Sequence, residues 1–462
     1  MKDRAANRAW FAGILWLFAV AAVAGESYCF RVYLKDRGAT EESLLTPERF
    51  LSEEAIERRA RRMADITLSD VPVAPLYLDM LSATGVRPVT QSKWMATVVV
   101  ESDDSLAVDR LTALAFVDSV RLVWRGVDRL KRSDCPDGDM LLEPTTEKMA
   151  QEDYGYARAQ LEMLNGLRLH ALGKRGQGMR IAVIDAGFMN VNRISAFASL
   201  RLLGTHNVVF PGGDVFCEDD HGTKVLSCLA ANLPGQMVGA APEASYLLIK
   251  SEDPRSEYPI EEDFWAAALE YADSVGIDVV SSSLGYSLFD TDDTPYRADD
   301  LDGKTAFISQ VAEKAEEKGM LLFVSAGNEG NREWQKITFP ADAPGVLTVG
   351  AVDKSGGHSP FSSTGLTADY RVKPDIVALG TGTTVISSGG DIIHSNGTSF
   401  ATPIAAGLGA CLWQALSWLD NREIAALIRQ AASQSGRPDA EQGYGIPDMY
   451  ESYRKELNAP VR

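Results

Sequence analysis

The stretch Ser395-Asn396-Gly397-Thr398-Ser399-Phe400-Ala401-Thr402-Pro403 decides how this chain is read. Gly389-Gly390 and Gly397 are turn residues, and the run from Phe400 to Leu416 is small and apolar, the pattern of a helix buried on most sides. A serine in the first turn of such a helix lies among backbone N–H groups with no intrahelical acceptor, at the positive end of the helix dipole. Negative charge is stabilised there. Two readings are open at this point: Thr398 or Ser399 caps the helix, or Ser399 is a nucleophile.

The chain has 462 residues, of which 45% are hydrophobic and 24% charged, so it can bury a large core in more than one domain. Its net charge of −19 argues against nucleic acid as a partner. The basic run Arg58, Arg59, Arg61, Arg62 is interleaved with Glu53, Glu54 and Glu57, which predicts the solvated face of a helix.

Lys2, Arg4 and Arg8 precede an apolar stretch from Ala9 to Ala24 that ends in Ala22-Val23-Ala24, a small-x-small pattern. Residues 1–24 therefore read as a secretory signal peptide. The apolar run stops short of the about 20 residues that a permanent membrane anchor prefers, and the expected destination is extracytoplasmic, periplasmic or secreted. Export permits disulfides. The five cysteines are Cys29, Cys135, Cys217, Cys228 and Cys411; no zinc spacing is present, Cys228 and Cys411 read as buried small hydrophobes, and the pairing is left open.

Residues 25–129 alternate strand and helix in a small α+β module. Phe30 to Leu34 is a strand, Thr46-Pro47 opens a helix through Arg62, Pro75 to Leu81 is a second helix, Met95 to Val100 a strand, Asp103 to Leu114 a helix, and Val120 to Trp124 a strand. Residues 130–153 are polar and contain Pro136, Gly138 and Pro144, as a linker would. A larger unit spans 154–455. Met179 to Ile184 is a strand with no polar face, as in a parallel sheet covered on both sides, and similar runs recur at Ala244 to Ile249, Val275 to Ser281, Met320 to Val324 and Val346 to Val349. Helical patterns lie between them, at Gly222 to Ala231, Glu261 to Ala272 and Lys304 to Lys318. This alternation predicts an α/β fold with right-handed crossovers.

Three more segments carry chemistry. Asp185 ends the first apolar strand, where ligands bind in open α/β sheets, although Asp is also common in turns and caps. Asp219-Asp220-His221-Gly222 opens a helical run, and the glycine removes a side chain where something can approach the imidazole. Ser325-Ala326-Gly327-Asn328-Glu329-Gly330 follows a strand as a tight turn, from which an amide could donate to an oxyanion. Together these supply an acid, an imidazole, an amide donor and a hydroxyl. Asp185, His221 and Ser399 follow the chain order found in subtilisin.

From Leu161 to Tyr450 the chain resembles the subtilisin-like serine proteases. The matching pieces are IAVIDAG at Asp185, DHGTKV at His221, SSSLGY around Ser283, SAGNEG at Asn328, FPA and VGAVD near Pro340 and Asp353, and KPDIVALG ahead of GTSFATP at Ser399. The resemblance implies a mostly parallel sheet flanked by helices, and a serine endopeptidase acting on polypeptides without a cofactor. It implies that Ser399 attacks the scissile carbonyl, His221 is the base, Asp185 orients the imidazole, and Asn328 with the Ser399 N–H forms the oxyanion hole. Ser283, Leu284 and Gly285 would pair with an extended substrate, and Ser325, Ala326 and Gly327 would line the pocket beside it. Family members often bind calcium as a structural ion. The acidic run Asp290 to Asp302 could be such a loop or a solvated insertion, so no metal residues are assigned.

The module at 25–129 looks like the inhibitor-type, ferredoxin-like prodomains of this family. Self-cleavage between Arg125 and Asp153 is expected, with a permanent accessory domain as the alternative. Two departures stand out. Asp220 precedes His221 where the family often has a small residue, and its charge is expected to raise the imidazole pKa. Phe400 replaces the commoner Met, which a buried position tolerates. The competing functional reading is a catalytically silent peptide-binding protein of the same fold.

Overall fold

The computed structural model describes residues 25–127, 129, 141–145, 147, 153–291 and 296–459. The stretch read as a signal peptide, most of the linker with Cys135, and part of the Asp290–Asp302 run lie outside the described residues.

The small N-terminal unit is a four-stranded antiparallel sheet in the order Arg87–Ser92, Thr97–Ser102, Ser27–Leu34, Val117–Gly126. With the helices Pro75–Ser82 and Ala107–Thr112 it forms the β-α-β-β-α-β arrangement of ferredoxin-like folds. Strand alternation sorts its residues. Phe30, Val32, Val98 and Val100 face its own helices, whereas Cys29, Val99 and Val123 face the large unit. The strand Arg87–Ser92 has little apolar signal and was not expected. The helix expected from Thr46 to Arg62 is two pieces: a 3-10 turn at Pro47–Arg49, then an α-helix at Glu53–Arg61 capped by Ser52, whose hydroxyl accepts the Ala55 N–H at 3.1 Å.

The large unit contains a seven-stranded sheet in the order Ile376–Leu379, Leu347–Val352, Leu321–Ser325, Val279–Ser282, Arg180–Asp185, Ser245–Lys250, Arg201–Asn207, with every neighbouring pair parallel. The strand Arg180–Asp185 shows why both faces must be covered. Ile181 and Val183 pack against the helices His221–Ala230 and Thr398–Ala415, whereas Ala182 and Ile184 pack against Ile260–Ser274 and Phe307–Glu317. The small sheet lies on the second pair of helices, adding Trp94 and Trp124 to that core.

Three of the four arginines in the basic run do not face water. Arg58 and Arg59 are 0% and 1% exposed and Arg62 is buried, because the helix Glu53–Arg61 docks on the large unit through them. Arg62 stacks its guanidinium over Trp413 at 3.9 Å and lies 3.6 Å from Asp278. Glu53, Glu54, Glu57 and Arg61 make up the wet face instead. Cys29, Cys228 and Cys411 are buried free thiols, and Cys217 is disulfide-bonded. No helix among the described residues is long and apolar enough to cross a membrane.

Candidate active site

The carboxyl ends of the central strands open onto a cleft of about 560 Å³. Asp185 is the last residue of its strand and is fully buried. Its Oδ1 accepts the Ala186 N–H at 2.8 Å and lies 2.8 Å from His221 Nδ1. A carboxylate only accepts, so Nδ1 carries the proton and Nε2 is left as the basic nitrogen. His221 is the first residue of its helix. Gly222 lets that helix approach: a Cβ there would fall 2.4 Å from the Gly187 carbonyl and 3.0 Å from Asp185 Cβ. Any side chain would therefore push the imidazole off the carboxylate.

Ser399 lies at the second position of the 18-residue helix Thr398–Ala415 and is 7% exposed. Pro403, four residues on, has no N–H, so the Ser399 carbonyl loses its helical partner. Ser283 Oγ donates to it instead, at 2.8 Å. The Ser399 hydroxyl donates to the Ser283 carbonyl at 3.4 Å, a long contact that leaves it free to turn. Phe400 is buried, with its ring centroid 5.9 Å from that of His221.

Asn328 Oδ1 accepts both the Thr398 N–H at 2.9 Å and the Thr398 hydroxyl at 3.1 Å. This fixes the amide with its oxygen toward the helix start and its Nδ2 donors on the other side. Asn328, His221 and Ser399 line the cleft together with Ser283, Leu284, Gly285, Ser325 and Gly327. Ala326 is fully buried, does not line the cleft, and bonds Val349 and Thr338 through its backbone. Thr338 forms part of the floor. A Cβ on Gly285 would fall 2.1 Å from its hydroxyl, and Gly327, at φ +101°, adopts a conformation that suits glycine.

Burial disfavours charge on the His221 imidazole, but Asp185 outweighs it, helped by Glu252 and Asp219, and the imidazole is pushed up to about 9. Asp220 is not among these causes. Its carboxylate accepts Lys224 Nζ at 2.7 Å and Ser388 Oγ at 3.1 Å, so its charge is already balanced. Glu252, Glu257 and Thr338, which also line the cleft, belong to none of the motifs legible in the sequence. Glu252 does lie two residues past the strand Ser245–Lys250, where ligands are expected in such sheets.

The "Subtilase family" model matches residues 176–445. The chain belongs to the subtilase family. A second model, "Peptidase S8 propeptide domain, Bacteroidota", matches residues 29–136, which takes in all but the first two residues of the small sheet of this subtilase. A thermostable alkaline protease of Halalkalibacterium halodurans is 27% identical over 279 residues, 60% of this chain and 68% of that one. Subtilisin E of Bacillus subtilis is 29% identical over 271 residues, 58% of this chain and 64% of that one. The crystal structure of MycP1 from Mycobacterium smegmatis superposes with a TM-score of 0.51 at 21% identity, covering 72% of this chain and 92% of that one, a likeness of fold. The subtilase family comprises serine endopeptidases, and the N-terminal unit is of its propeptide type.

Proposed function

We propose that the chain is an extracytoplasmic serine endopeptidase, made as a precursor, in which Ser399, His221 and Asp185 are the nucleophile, base and orienting acid. One observation carries the reading: the 2.8 Å contact of Asp185 Oδ1 with His221 Nδ1 fixes the base-competent tautomer in the cleft that also holds Ser399. In the first step Ser399 Oγ bonds to the scissile carbonyl carbon and its proton passes to His221 Nε2. The oxyanion receives Asn328 Nδ2 and the Ser399 backbone N–H, which the helix start leaves without an intrahelical acceptor. Collapse breaks the C–N bond, and the amine leaves with the proton from Nε2. Water then repeats the sequence on the acyl-enzyme. Every step is assigned to side chains and backbone, with no metal or cofactor.

The small unit is the prodomain, occupying the helices Ile260–Ser274 and Phe307–Glu317. Processing falls between Arg125 and Asp153, and the apolar run within residues 1–24 directs export. Two measurements test the reading. A fluorophosphonate probe labels wild type and spares Ser399→Ala, whereas a silent binding protein labels in neither form. Ser399→Ala also accumulates as full-length precursor; processing equal to wild type assigns the cut to another protease.

A further inference from the structure

One side of the cleft is an acidic wall. Glu252 and Glu257 lie between the strand Ser245–Lys250 and the helix Ile260–Ser274, and both line the cleft with His221 and Ser399. Glu329 and Asp219 line it too. Glu329 is answered by Arg332 at 3.0 Å. The Glu252 carboxylate accepts from a neutral group, the Tyr286 hydroxyl at 2.9 Å. The nearest cations are committed elsewhere. Lys250 Nζ lies 3.5 Å from Glu218 and donates to the backbone carbonyls of Ala186 and Glu252. Arg255 is paired with Asp253.

This wall is unbalanced. Burial and repulsion from Glu257 push Glu252 up to about 8. Burial and repulsion from Asp290 and Glu329 push Glu257 up to about 7. Carboxyl groups behave this way when they are withdrawn from water and crowded by like charge without a counter-charge. The cleft where a peptide must lie thus carries the electrostatic complement of a cation.

We propose that Glu252 and Glu257 are specificity-determining residues that receive a positively charged nitrogen of the polypeptide substrate close to the bond being cut. The inference rests on the Ser399 reading above. A cation entering the wall makes charge-assisted hydrogen bonds to two carboxylates, whereas a neutral group of the same shape leaves them crowded and unpaired. Two sources have this chemistry: a Lys or Arg side chain, and the ammonium of a free substrate N-terminus. The chain's own sequence offers the first. The Arg129 carbonyl accepts Arg255 Nη2 at 2.7 Å, next to the cleft residue Pro254. The basic pair Lys131-Arg132 follows in sequence, within the interval where self-cleavage is expected.

The test uses the processed protein and internally quenched peptides in which one Arg is replaced by citrulline, its neutral near-isostere, at each position in turn. Each peptide is made with a free and an acetylated N-terminus. At one position or at the N-terminus, loss of the charge should lower kcat/KM about tenfold or more. Sensitivity to citrulline identifies a side chain as the source, and sensitivity to acetylation identifies the ammonium. In Glu252→Gln and Glu257→Gln the charged-to-neutral ratio should fall toward one. Gln keeps the size of Glu, so both variants isolate charge from shape. Peptides cleaved at equal rates whatever their charge, by protein that the fluorophosphonate still labels, overturn the inference and leave the Ser399 reading standing. Neither cleavage nor labelling removes both.

Discussion

Asp273 receives Arg59 with both carboxylate oxygens, at 3.0 Å from Nε and 2.8 Å from Nη2, while Arg58 approaches the same Oδ1. Asp273 occupies the last turn of the helix Ile260–Ser274, where the dipole is negative and an acid is unfavourable. Two guanidinium groups from the small unit reverse that. Lys318 joins the group through Asp70 at 2.8 Å, and Asp70 also accepts Arg59 Nη2 at 2.7 Å.

Removing one partner of such a buried group is costlier than the group's net worth, because the other charges stay buried and unanswered. Asp273→Ala in the Ser399→Ala precursor should therefore lose about 3–5 kcal/mol of stability in denaturant unfolding. Glu53→Ala, on the exposed face of the same arginine-bearing helix, should stay within about 0.5 kcal/mol. Equal effects of the two changes would mean that the buried ion group does not hold the units together.

The pH profile follows from the imidazole. The base form of His221 is neutral, and a pKa raised to about 9 means that this form fills only as pH rises toward that value. kcat/KM should therefore climb through the alkaline range, with little activity at pH 6. Glu252→Gln removes one of the charges that raise the imidazole, so the acidic limb should move to lower pH. Asp220→Gly should move it less, because Lys224 already balances that carboxylate. A larger shift from Asp220→Gly than from Glu252→Gln would refute this assignment.

Asn328→Ala should lower kcat by about 100–1,000-fold with a much smaller change in KM, since the amide is assigned to the transition state alone. Thr398→Val keeps the backbone N–H and deletes the second hold on Asn328 Oδ1, so its loss should be smaller and of the same kind. Steady-state kinetics on one peptide separates the two parameters.

Ser283→Ala leaves the Ser399 carbonyl without its donor, and Pro403 cannot supply another. The expected cost is about 1–3 kcal/mol in denaturant unfolding, measured in the Ser399→Ala background to prevent autolysis. Ser283→Thr keeps a hydroxyl at that position and should recover most of the loss.

The four chemical pieces were legible because each is a short local pattern at the end of a strand or the start of a helix, and because the order of the pieces is itself a signal. The central strands Arg180–Asp185, Ser245–Lys250 and Leu321–Ser325 were legible as apolar runs covered on both faces. The strands Arg87–Ser92 and Arg201–Asn207 were not, since half-exposed edge strands carry little apolar contrast. The arginine face was misread for a different reason. Four arginines among glutamates carry the signature of a wet helix, and the acid that buries Arg59 lies 214 residues further along the chain. Glu252 and Glu257 look like ordinary loop acids until folding sets them in the cleft that holds Ser399.

The docked arginines bear on what release of the N-terminal unit would leave behind. If the N-terminal piece departs, it carries away Arg31, Arg58, Arg59 and Arg62. Their counterparts Glu262, Asp263, Asp273 and Asp278 stay behind on a newly wetted flank. The remaining unit would then present an anionic stripe, one that cations or a basic partner could answer in place of the arginines.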